Sequence, residues 1–200
     1  FKSMNQEMIK GLYSVISPSN ANKYNELNPF ISKSVQLRNF LIIHLMLNYG
    51  LRIGELMLLT TNSIKKSIQN HNFSLIITNT DDEFDDRSKK PKIKNEYSYR
   101  VIKLQERDYR ILQIYMNEIR NEIPSQILFT SLKPPYSALS YASVKKIFDQ
   151  IDLSLKALLP ECFDTSAYDS IERLTPHVCR HSWAYMMLSF SFEKYKKENA

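Results

Sequence analysis

The sequence predicts an α+β fold that is mainly helical, with one small β-sheet inserted between helices. Two observations predict it. Apolar residues recur at helical spacing through most of the chain, as in Leu37, Phe40, Leu41, Leu45 and Leu47. The period then changes in two β-branched-rich runs, residues 73–78 and 99–104, which lie between helical stretches. A chain of 200 residues, 43% of them hydrophobic, is large and apolar enough for one domain with a real core.

The elements follow in order. Residues 3–16 put Met4, Met8, Leu12 and Ile16 on one helical face, and Ser17-Pro18-Ser19-Asn20 breaks the run. Residues 36–48 form a helix with a broad apolar stripe, stopped by Tyr49-Gly50, because glycine readily takes the left-handed conformation that ends helices. A short helix follows over 53–59. The strands at 73–78 and 99–104 flank a long polar connector, residues 80–95. It is acidic first (Asp81, Asp82, Glu83, Asp85, Asp86) and basic after (Arg87, Lys89, Lys90, Lys92, Lys94), and such a run is ordinarily a solvated loop. Residues 111–123 are helical up to Pro124, 126–129 read as a short buried segment, and Pro134-Pro135 as a turn. Residues 140–158 repeat Val144, Ile147, Ile151 and Leu155 at turn spacing. A polar loop over 160–170 leads to a last helix over 176–188, with Thr175 as its N-cap.

Composition narrows the function. No apolar run approaches the roughly 20 residues that span a bilayer, and the N-terminus carries no export-type segment. Cys162 and Cys179 are too few and too far apart for a disulfide framework or a four-ligand zinc site, and read as free thiols in a reducing compartment. Neither a metal motif nor a glycine-rich phosphate loop is present. The formal charge of +6 and a pI of about 9.2 are compatible with a polyanionic partner.

Two segments carry residues suited to chemistry. In Gly50-Leu51-Arg52-Ile53-Gly54-Glu55-Leu56, two glycines bracket an arginine at a turn between helices. A guanidinium fixed in an apolar wall suits bidentate capture of a phosphate, and Glu55 is placed to hold it. The alternative is an Arg52–Glu55 pair that only braces the turn. In Thr175-Pro176-His177-Val178-Cys179-Arg180-His181-Ser182-Trp183-Ala184, His177 and Arg180 share the first face of a helix. A helix N-terminus already favours anions, and an imidazole with a guanidinium there suits a phosphodiester. The alternative is a capping histidine beside a surface arginine. His181, next in sequence, is expected to point elsewhere.

Taken together, G-L-R-x-G-E-L followed about 120 residues later by T-P-H-x-x-R-H-S-x-A resembles the two signature boxes of the tyrosine recombinases, the phage-integrase family. The likeness runs over residues 36–188. It implies the catalytic-domain fold of that family, with a small antiparallel sheet. It implies site-specific recombination or integration, in which DNA strands are cut and rejoined through a 3′-phosphotyrosyl intermediate without cofactor or metal. Arg52 and Arg180 match the arginines that clamp the scissile phosphate, His177 the histidine that assists proton transfer, and Glu55 an acidic residue supporting Arg52. The family's hairpin lysine, which protonates the leaving 5′ oxygen, matches Lys92, with Lys94 next and Lys89 or Lys90 still open. Double-stranded DNA is the implied partner, with assembly on it as a dimer to tetramer, in the cytoplasm of a bacterium or as a product of a phage or mobile element.

Departures from the pattern matter too. Tyr185 and Tyr195 fall too early for the nucleophile, and Tyr185 is expected to pack. Residues 1–200 are thus expected to form one partial catalytic domain, 1–35 a linker and first helix, with the core-binding domain and the tyrosine segment absent and the chain inactive by itself. Cys179 stands where leucine is usual, a conservative exchange in a buried position. The competing readings are a DNA-binding protein of the same fold without catalysis, and a helical interaction protein unrelated to DNA.

Overall fold

Helix α1 (Gln6–Ile16) opens the chain, and α2 (Lys33–Tyr49) and the short α3 (Ile53–Met57) follow it. Strands β1 (Ile64–Lys66), β2 (Phe73–Ile77) and β3 (Arg100–Leu104) come next. Helices α4 (Glu106–Ile114), α5 (Tyr141–Leu158) and α6 (Pro176–Glu198) complete the order. The computed structural model describes residues 2–67, 72–79, 85–92, 99–164 and 170–198. The chain divides into two compact units: Phe1–Arg52 with Lys145–Ala200, and Ile53–Val144.

In the first unit, α2 is buried on nearly every side. Ile42, Ile43, Leu45, Met46 and Leu47 are all buried, as expected of a helix enclosed by others rather than laid on a surface. Met8, Leu12 and Val15 of α1 and Ile151 and Leu155 of α5 join this core. The burial of α1 makes it part of the core and not only a linker. Gln36, one of the polar residues that α2 carries inside, is satisfied through both ends of its amide. Gln36 Oε1 accepts from Ser19 N at 2.7 Å, and its Nε2 donates to Phe30 O at 2.6 Å, which ties down the loop before the helix. Helix α2 ends as the sequence predicts, with Gly50 in the left-handed region at φ 62°.

The second unit holds a three-stranded antiparallel sheet in the order β1-β2-β3. Leu75 pairs with Ile102, and Leu75, Ile77 and Leu104 are buried. Phe73 stacks on Tyr109 of α4, with ring centroids 4.3 Å apart. Strand β1 does not stand out in the sequence, because only Ile64 of its three residues is buried. Helix α4 begins at Glu106, five residues before the apolar period starts, and gives way to one π-turn over Tyr115–Ile119, closed by Arg120 N donating to Tyr115 O at 3.1 Å.

The polar connector is not wholly solvated. Asp85 and Arg87 are both buried. Arg87 Nε and Nη2 donate to the two Asp85 carboxylate oxygens at 2.7 and 2.6 Å, while Nη1 and Nη2 reach Leu139 O at 3.2 Å and Met57 O at 2.9 Å. Burial alone would raise the Asp85 carboxyl, but the hydrogen bonds from Arg87 outweigh it and hold the group below the usual carboxylate range. Lys94 lies outside the described residues.

Both cysteines are free and buried. Cys179 is enclosed completely, which pushes its thiol up to about 12 and leaves it inert. Among the described residues no helix is long and apolar enough to cross a membrane.

Candidate functional site

The second box forms the start of α6. Thr175 caps the helix, its Oγ1 accepting from Val178 N at 3.2 Å, so the first turn is set as expected. Cys179 and Ser182 face the core, and Ser182 Oγ accepts from Met4 N at 2.8 Å, anchoring the segment before α1. His177 is exposed, and Arg180 is half-buried.

The first box forms the end of α2 and the start of α3. Two side chains of α6, one turn apart, converge on its first glycine. Arg180 Nη1 donates to the carbonyl oxygen of Gly50 across 130 residues of sequence. Trp183 lies against the Gly50 α-carbon, where an added β-carbon would stand 2.3 Å from the indole. Gly50 is therefore required twice, by its backbone angle and by the indole. Gly54 is different: an added β-carbon would meet nothing closer than the Lys92 carbonyl oxygen at 3.8 Å, an ordinary contact. Arg52 itself is exposed, two residues from the carbonyl that Arg180 grips.

In the Ile53–Val144 unit, Glu55 is buried and accepts from Arg100 Nη2 of β3 at 2.9 Å. The sequence offered no signal for this partner, since strand pairing is what brings residue 100 back to residue 55. Lys92 is exposed, and its backbone carbonyl approaches Gly54.

His181 does not point elsewhere. Its Nε2 is 2.7 Å from Nε2 of His177, with ring centroids 4.1 Å apart and planes at 84°. The spacing of four residues on one helix was the available signal. Burial, then the neighbouring His177 and Arg180, pushes the His181 imidazole below its ordinary value, so it favours the neutral form. Tyr185 is 62% exposed rather than packed, and α6 runs ten residues beyond the predicted 188, with Leu188, Phe190 and Phe192 also exposed.

The model of the phage integrase family matches residues 19–193, and the chain belongs to that family. Its fold is similar to that of XerH site-specific recombinase bound to difH substrate in a pre-cleavage complex, with TM-score 0.60, 21% identity, and coverage of 94% of this chain and 42% of that one. It is similar to the Tn1549 transposon integrase in complex with transposon right end DNA, at TM-score 0.60 and 17% identity over 94% of this chain and 53% of that one. XerA recombinase is a third, at TM-score 0.53 and 16% identity, over 94% and 51%. The chain thus spans about half the length of these proteins or less. No curated protein matches it.

Proposed function

We propose that this chain is the phosphodiester-binding part of a site-specific DNA recombinase, which cuts and rejoins duplex DNA through a 3′-phosphotyrosyl intermediate. The observation that carries it is the bond from Arg180 to the Gly50 carbonyl, which links the two boxes across 130 residues. Arg52 and Arg180 are the proposed clamp on the non-bridging phosphate oxygens, where bidentate guanidinium contacts neutralise the charge that builds in the transition state. His177, at the N-terminus of α6, is the proposed proton-transfer group, in the part of a helix that already favours an anion. Lys92 is the proposed donor to the leaving 5′ oxygen. It remains the first choice because it is exposed and stands in the matching hairpin segment. Glu55, buried and paired with Arg100, is the proposed support for Arg52.

Neither Tyr185 nor Tyr195 stands where the family's nucleophile falls, so residues 1–200 alone are proposed to bind DNA without cutting it. Double-stranded DNA in a bacterial or phage-infected cytoplasm is the proposed partner and setting, with assembly of two to four copies on the site. The reading of a DNA-binding protein without catalysis is not favoured, because Arg52, His177 and Arg180 are all present in the two boxes.

The test is strand cleavage by a chain that carries the nucleophile. Arg52→Ala and Arg180→Ala are each expected to slow cleavage by about 10²–10³-fold, the magnitude typical of removing one preorganised charge donor. Because Arg52 is exposed, its loss should leave stability within about 0.5 kcal/mol. Cleavage at the wild-type rate by either variant would overturn the proposal.

A further inference from the structure

Two imidazoles on one helix face each other through the same ring atom, Nε2, at 2.7 Å. Such a bond contains one proton. Either His177 donates and His181 accepts, or the reverse, and two Nε2–H groups cannot meet at that distance. The pair therefore holds at most one positive charge while the bond lasts. Arg180 lies between the two residues in sequence and adds a fixed cation, which disfavours a second proton further. His181 is the more enclosed of the two and His177 the more exposed. The bond is therefore read with His177 Nε2–H donating and the more enclosed His181 accepting, in keeping with the depressed value of His181.

We infer that His181 is the positioning residue of His177: it engages Nε2, fixes the ring, and leaves Nδ1 as the nitrogen that meets an incoming phosphodiester. A cationic His177 held this way offers Nδ1–H to a phosphate oxygen while its Nε2–H stays on His181. The proton is then delivered from a ring whose orientation is set before DNA arrives, and no rotamer must be frozen at that moment. The role of His177 rests on the proposed function, but the hydrogen bond does not.

The experiment is nitrogen-15 NMR of the histidine rings in the DNA-free chain of 200 residues, in the wild type and in His181→Phe and His181→Gln. Phenylalanine keeps the ring shape and removes the acceptor, while glutamine restores a polar group near Nε2. The wild type should show His177 Nε2 protonated and hydrogen-bonded, and His181 neutral with Nε2 unprotonated. His181→Phe should lose that pattern at His177, and His181→Gln should keep it. In a chain that carries the nucleophile, His181→Phe should slow cleavage by about tenfold, short of the 10²–10⁴-fold that proton transfer as a whole supplies, and His181→Gln should recover most of the rate. If His181→Phe does not fold, His181→Ala serves in its place. Unchanged His177 shifts in the variant, or equal slowing by phenylalanine and glutamine, would overturn the inference. Altered shifts with no cleavage by the wild type would count against the functional reading and leave the pair standing.

Discussion

Replacing Gly50 by alanine tests the joint between α2 and α6 directly. Two costs are separable in the structure. The left-handed backbone at φ 62° costs an L-residue about 1–2 kcal/mol. The new β-carbon would also stand 2.3 Å from the Trp183 indole, and overpacking of that kind costs about 1–3 kcal/mol. Gly50→Ala should then destabilise by about 2–5 kcal/mol in urea unfolding. Because the chain's one tryptophan is itself exchanged below, circular dichroism is the probe common to all four chains. Trp183→Ala removes the clash but not the backbone strain. In that background Gly50→Ala should cost only the strain, about 1–2 kcal/mol, so a double-mutant cycle should show an interaction of about 1–3 kcal/mol. Single-mutant costs that add to within about 0.5 kcal/mol would refute the contact as the reason for glycine here.

Three other outcomes follow from the buried and capping groups. Arg87→Ala leaves the Asp85 carboxylate buried without its partner and should cost about 3–5 kcal/mol. A loss below 1 kcal/mol in the same unfolding assay would mean the pair is not enclosed in solution. Because the folded Asp85 carboxyl is depressed, its contribution should be complete above the ordinary carboxylate range and fade as pH falls through the lower, folded value. Asp85→Asn should flatten that part of the stability–pH curve, and an unchanged acid slope would count against it. Thr175→Ala should cost about 1 kcal/mol through the lost cap, with Thr175→Ser near neutral. Equal losses in the two variants would show that the hydroxyl is not the cause.

What was legible in the sequence was local. Gly50 after an apolar run, Thr175 before Pro176, and the change to a two-residue period at Phe73 each act over a few neighbours. The structure follows all three. What was not legible depends on distant partners. Asp85 and Arg87 belong to a charge run that reads as solvated, and their burial is decided by carbonyls of Met57 and Leu139. Glu55 finds Arg100 only because β3 returns beside β2. The first turn of α4 is Glu106-Arg107-Asp108, with no apolar period to mark it. In the proposed site, Arg52, His177 and Arg180 are nominated by the order of the two boxes. The turning of His181 toward His177 needed side-chain geometry that spacing only hints at.

The division of the chain also sets an order of events during synthesis. Ile53–Val144 is continuous, and its sheet pairs strands close in sequence, so those pairings can form as soon as it leaves the ribosome. The other unit is built from both sides of it, and the contact from Arg180 to Gly50 is among its longest in range. Until residue 180 is made, α2 is an apolar helix without its α6 neighbour. A nascent chain would present it to chaperones while the 130 residues between Gly50 and Arg180 are made, and the grip of Arg180 on Gly50 would form only after them.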